Sequence, residues 1–153
     1  MPRLSQLLFG RPAFAQVHAI LEGLPFATVG ERPGGLPHTI FEELWHLAYW
    51  QDHLISRLRG EEPAHAGMGE DWPLRQAPAD EQEWSGLLDR VMRGLDEAAG
   101  VAAEVEVDDR PLAGGHTVRG ALEDLLAHNS YHFGRIVALR QLLGVWPPAR
   151  ERD

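Results

Sequence analysis

Cysteine and lysine are both missing from this 153-residue sequence. Without cysteine there is no disulfide framework, no thiolate metal site and no cysteine nucleophile, so a transition metal would have to be held by histidine or carboxylate. Without lysine, all 14 cationic side chains are arginine, and against 23 Asp and Glu they leave a formal charge of −9. That charge disfavours a phosphate backbone, which needs a basic face, so no nucleic-acid partner is expected. Long apolar runs are lacking too. No stretch reaches the about 18 apolar residues that a membrane span needs. The opening Met-Pro-Arg-Leu-Ser-Gln-Leu-Leu-Phe-Gly is too short and too interrupted for a secretory signal. A cytoplasmic protein without membrane contact is the expectation, and the length suits one domain over residues 1–153.

Four segments carry helical periodicity. The first runs from Pro12 to Leu24, with Phe14, Val17, Leu21 and Leu24 on one stripe and Gly23 and Pro25 at its end. The second runs from Ile40 to Leu58, where Thr39 and Glu42 form a capping box and Ile40, Leu44, Leu47, Leu54 and Leu58 an apolar stripe. The third runs from Glu81 to Ala99, capped by Asp80 with Glu83, and its end is vague because Gly100 is followed by helix-tolerant residues up to Glu104. The fourth runs from Val118 to Leu143, between Thr117 as N-cap and Gly144. The Val-Glu-Val-Asp pattern between Val101 and Arg110 alternates like a strand but has no partner.

Four helices without a convincing strand predict an all-α four-helix bundle. The Pro-, Gly- and His-rich stretch from Arg59 to Ala79 is long enough, at up to ~3.3 Å per residue, to run the length of a bundle. It makes the second and third helices parallel, and the shorter connections suit antiparallel neighbours. The expected topology is up-down-down-up, with the second and fourth helices antiparallel.

Eight histidines are the conspicuous surplus. His128 and His132 stand four apart in the middle of the longest helix, so both leave one face about 6 Å apart along the axis. That spacing lets two imidazoles grip one ion. Two histidines among Leu125, Leu126, Phe133 and Ile136 are also hard to satisfy without a ligand or a set of hydrogen-bond partners. On the second helix His46 lies about 10 Å from the N-cap, and the His128–His132 midpoint about 20 Å into the fourth. If the helices run antiparallel and level, His46 meets that pair while His53 falls about two turns away. His46, His128 and His132 are therefore the candidate metal ligands. His53 could line the pocket or relay protons, and His18 could face the bundle. His38, His65 and His116 read as ordinary loop histidines.

The stretch His128-Asn129-Ser130-Tyr131-His132-Phe133-Gly134-Arg135-Ile136-Val137, continuing to Leu142-Leu143-Gly144-Val145-Trp146-Pro147-Pro148, resembles the last helix of the DinB-like (YfiT-like) family. So does Glu43-Leu44-Trp45-His46-Leu47-Ala48-Tyr49-Trp50 on the second helix. The resemblance implies an up-down-down-up bundle, often a homodimer, with one metal held by a histidine of the second helix and a His-x-x-x-His pair of the fourth. Matched by position, those are again His46, His128 and His132. Some relatives are thiol-dependent S-transferases that use bacillithiol or mycothiol, one branch is a mycothiol-dependent isomerase, and others are described only as metal-dependent hydrolases or damage-inducible proteins.

Three neutral imidazoles leave a divalent ion, zinc or nickel before others, with an open position, unlike a closed structural site. Such an ion either activates water or lowers the pKa of a thiol from about 8.5. With no cysteine in the chain, the thiol has to be an external low-molecular-weight one, and the substrate a small molecule. Thiol transfer is the leading expectation, metal-dependent hydrolysis and a non-catalytic metal-binding stress protein the alternatives. Glu42, Glu43 and Asp124 are within a turn of the triad, and hydrogen-bond anchors for the imidazoles or surface charges are their favoured roles. Arg135 and Arg140 suit inter-helix ion pairs or a substrate carboxylate, and Tyr49, Trp50 and Tyr131 the core or a pocket wall.

Overall fold

The computed structural model describes residues 3–11, 13–61, 63, 69–104 and 109–148. Among them the chain is all-helical, with no strand beyond a single isolated bridge between Pro111 and Thr117. Five α-helices follow in order: α1 (Leu4–Leu7), α2 (Val17–Leu21), α3 (Ile40–Leu58), α4 (Glu81–Glu104) and α5 (Val118–Leu142).

The long helices begin where their caps require. Thr39 Oγ1 accepts the Glu42 N–H at 3.2 Å while the Glu42 carboxylate accepts the Thr39 N–H at 2.7 Å, which opens α3. Asp80 takes the Glu83 N–H at 2.8 Å at the head of α4, and the Glu83 carboxylate reaches the Ala79 N–H rather than that of Asp80. Thr117 takes the Gly120 N–H at 3.0 Å at the head of α5. α4 continues through Gly100 to Glu104, and the Val-Glu-Val-Asp pattern, residues 105–108, lies outside the described residues.

The first expected helix, Pro12–Leu24, is a correction. Only Val17–Leu21 is α-helical, and Pro12 is outside the described residues. The chain turns back at Gly10, whose φ of 86° suits glycine and whose Cβ, if it had one, would lie 2.6 Å from the Ala15 carbonyl oxygen. The Val17 N–H then bonds to the Phe9 carbonyl at 3.2 Å, an attachment to the preceding turn that a continuous helix would replace. Val17, Ile20 and Leu21 still face the core, so the stripe marked burial correctly and helix length wrongly.

α3 is the central element, packed against both α4 and α5. Its partners on α5 descend in number as its own residues ascend: Glu43 meets His132 and Arg135, and Gln51 meets Asn129. The two helices are antiparallel. On α4 the order is the reverse, with Gln51 at Val91 and Arg59 at Glu97, so α3 and α4 are parallel. The connection between them passes Asp71 beside His46 and Gln76 beside Thr39, running back along α3.

Arg140 shows what an all-arginine chain can do. It is fully buried, and its guanidinium donates to the Val145 carbonyl at 3.1 and 2.9 Å, to the Glu22 carbonyl at 3.0 Å and to the Ile20 carbonyl. It binds the end of α2 to the end of α5 through carbonyls, not through an ion pair, and it lies over the Trp146 ring at 5.2 Å. An ammonium cannot reach those carbonyls from one fork, so Arg140→Lys is expected to destabilise the fold by about 2–4 kcal/mol despite keeping the charge. Urea unfolding of the purified variant measures this, and a midpoint equal to the parent's would contradict it.

Candidate metal centre

His46 on α3 and His128 and His132 on α5 converge, with one ring nitrogen from each within 4.8 Å of the others. The ring centroids are 4.5 Å apart for His128–His132, 4.7 Å for His46–His132 and 5.4 Å for His46–His128. Nitrogens about 2.1 Å from one tetrahedral ion sit about 3.4 Å apart. Small side-chain rotations therefore suffice to close this set around an ion.

Two of the rings are anchored from behind. His46 Nδ1 lies 2.7 Å from the Asp71 carbonyl oxygen, and His132 Nδ1 lies 2.7 Å from Glu43 Oε2. A carbonyl and a carboxylate accept, so both imidazoles carry a proton on Nδ1, and Nε2 is the nitrogen each ring in its neutral form would offer to an ion. Asp71 is itself held, its carboxylate accepting the Trp50 indole N–H at 3.2 Å. Glu43 is fully buried and takes the Arg135 Nε–H at 2.7 Å on its other oxygen. Burial alone would raise the Glu43 carboxyl, but the bonds from His132 and Arg135 outweigh it and hold the group below its usual range.

A flat stack closes one side. The Trp72 ring lies 4.0 Å from His46, nearly parallel to it, and His38 stacks on Trp72's ring at 3.7 Å. His38, expected to be an ordinary loop residue, thus supports the wall that backs His46. On the other side the Trp50 ring meets His53 edge-on at 5.2 Å and lies 6.4 Å from His128. His53 is buried but lies outside the three-nitrogen set. His116 accepts from Arg57 at 3.2 Å, His18 is exposed, contrary to the expectation that it could face the bundle, and His65 lies outside the described residues.

The nearby carboxylates separate sharply. Glu43 is the imidazole anchor. Glu42 is occupied by the Thr39 N–H and by Arg32 at 2.9 and 3.0 Å, and Asp124 is exposed. Asp71 and Trp72 were not singled out in the sequence, because they sit in a stretch without periodicity. Tyr131 is exposed at the rim, its ring edge-on to His132 at 5.0 Å.

Burial first, and then the neighbouring His132, push His128 down to about 4, and burial lowers His46 as well. Both rings are neutral at pH 7, the state a metal ligand needs. Fold and cluster together define a helical protein with a three-histidine group that could hold a metal ion. The sequence profile of the DinB superfamily matches residues 12–136, and the chain belongs to that superfamily. No curated protein and no solved structure matches it significantly.

His128 also gives a pH dependence of stability in the metal-free protein. The unfolded chain takes up a proton near 6.5 and the folded chain only near 4, so between these values the unfolded state binds more protons. Stability is then full above pH 6.5 and is lost as pH falls towards about 4. In chelator-treated protein the melting temperature should fall across this window more steeply for the parent than for His128→Gln. Equal slopes would contradict the assignment.

Proposed function

We propose that the chain is a single-domain, up-down-down-up four-helix-bundle metalloprotein in which His46, His128 and His132 hold a divalent ion, zinc or nickel, for thiol S-transfer to a small electrophile. The observation that carries this reading is the anchored triad: three imidazoles, two of them held at Nδ1 by Asp71 and Glu43, converging from two helices. That is the preparation ligands require, with each remaining N–H tied to a carbonyl or carboxylate. A bound divalent ion with an open position supplies the Lewis acidity that brings an external thiol's pKa from about 8.5 to below neutrality.

The residues around the triad favour thiol chemistry over hydrolysis. Hydrolysis wants a free carboxylate as general base, but Glu43 is locked between His132 and Arg135 and Glu42 between Thr39 and Arg32. Asp71 faces His46 Nδ1, at 3.6 Å from its Oδ2, on the side away from the free Nε2. A thiol needs no such base once its proton is acidic enough to leave to water. His128 is the part-exposed member of the triad and marks where a small molecule would enter. A homodimer is the assembly expected of this reading.

Elemental analysis of the purified protein should find about one divalent ion per chain, and His128→Ala or His132→Ala should lower zinc affinity by at least about 100-fold while the circular dichroism spectrum stays helical. The loaded protein should consume a haloalkyl electrophile only when bacillithiol, mycothiol or a simpler thiol is added. Ester or amide cleavage without thiol would favour the hydrolase, and a tightly bound ion with neither activity would favour a non-catalytic role.

A further inference from the structure

Away from the triad, on the α4 side of α3, the two parallel helices leave a cleft of about 570 Å³ between them. That size suits a small ligand. Ion pairs close both ends. Arg90 Nε donates to Asp52 Oδ2 at 2.7 Å. About 10 Å further along both helices, Arg59 donates to the two oxygens of Glu97 at 2.6 and 2.5 Å. Between the pairs lie Ser56 on α3 and Arg93 on α4, over a floor of Ile55 and Gly94. Gly94 lets the helices approach closely there: a Cβ on it would lie 2.1 Å from Gln51 Nε2 and 2.8 Å from its Cδ.

The protein does not use up the donors in this cleft. Among the described residues the Arg93 guanidinium has no ion pair or hydrogen bond, although Asp89 and Asp96 are on the same helix. Arg90 spends only its Nε–H on Asp52, and the Ser56 hydroxyl has no hydrogen-bond partner among the described residues. Arg90 and Arg93 are three residues apart and so share one face of α4. Two guanidiniums and a hydroxyl face one carboxylate, Asp52, so this half of the cleft is positive inside a chain of charge −9. The other half is not. Glu97 binds Arg59 through both oxygens, and Glu61 follows two residues after Arg59. Both ion pairs are solvent-exposed and add little to stability, which therefore does not account for three arginines in one cleft.

We propose that the Asp52 half of this cleft binds a small organic oxyanion, a carboxylate or a phosphate monoester, between Arg90, Arg93 and the Ser56 hydroxyl, with the ligand's apolar body on Ile55 and Gly94. A planar guanidinium presents paired N–H groups that match two oxygens of either anion. Asp52 holds Arg90 by its Nε–H and leaves the two amino groups to the ligand. The triad lies between α3 and α5 and this cleft between α3 and α4, so the anion site does not need the metal.

The test is titration of the full chain with methyl phosphate, acetate and butyrate at pH 7 and constant ionic strength, followed by the arginine Nε–H and Ser56 amide resonances. Saturable shifts at Arg90, Arg93 and Ser56 are expected, with dissociation constants of about 1–10 mM. Butyrate should bind more tightly than acetate, because only its chain reaches the floor, and equal binding would overturn the role given to Ile55 and Gly94. The tighter of butyrate and methyl phosphate identifies the headgroup. Chelator treatment should leave the affinity unchanged. Arg93→Gln should weaken binding about tenfold. Arg119→Gln, which removes the same charge from the head of α5, should change it by less than about twofold. Arg93 is exposed, so its variant should keep the parent's melting temperature. Shifts that rise linearly without saturation, or affinities that fall equally in the two variants, overturn the proposal and leave general charge attraction.

Discussion

The candidate site depends on the register between α3 and α5, and one buried carboxylate does most to fix it. Glu43 is fully enclosed and shared between His132 and Arg135, one helical turn apart on α5. Removing a single partner from a buried charge is costly, because the remaining charge stays desolvated and unpaired. A slip of α5 by one turn would separate Glu43 from at least one of its two donors. The same slip would part Gln51 from Asn129. These contacts are mutually consistent in only one alignment, and in that alignment His46 falls between His128 and His132.

The direction of hydrogen bonding matters as much as the register. A histidine pair on a helix face can bind an ion through either nitrogen, and a mixed set of tautomers would present N–H groups where lone pairs are needed. Here the groups behind the rings are acceptors, and the structure supplies them from different sources: a loop carbonyl for His46 and an α3 side chain for His132. The crossover between α3 and α4 is therefore part of the site as well as a connection. Asp71 and Trp72 reach the triad because the chain must return along α3 to begin a parallel α4, and the return path runs past His46.

This also explains what could be read from the sequence. The caps at Thr39 and Thr117 and the apolar stripes place α3 and α5 almost to the residue, because caps and periodicity are local signals. The four-residue spacing of His128 and His132 is read directly, and the height of His46 follows from helical rise once the two helices are taken as antiparallel and level. The N-terminal segment misleads, since the stripe Phe14, Val17, Leu21 and Leu24 records which residues are at least partly buried and says nothing about the fold-back at Gly10. Asp71 is invisible to periodicity because its key group is a backbone carbonyl, which any residue carries. Glu43 and Glu42 are adjacent and chemically alike. What separates them is that Glu42 is the third helical residue after Thr39 and so belongs to the capping box, which leaves Glu43 to face α5. The sequence motif contains that distinction, though only the packed helices make it visible.

Charge balance links this geometry to the proposed chemistry. Glu43 is neutralised by Arg135, and burial carries His46 and His128 towards neutrality, so the protein sets little negative charge against an incoming cation. The Asp71 carboxylate beside His46 is already bonded to the Trp50 indole. A divalent ion held there would keep a net positive charge inside a chain whose overall charge is −9. Low dielectric surroundings magnify that excess. The ligand best suited to such a place is anionic, small and brought from outside, and in a protein that has no cysteine of its own a thiolate meets all three conditions.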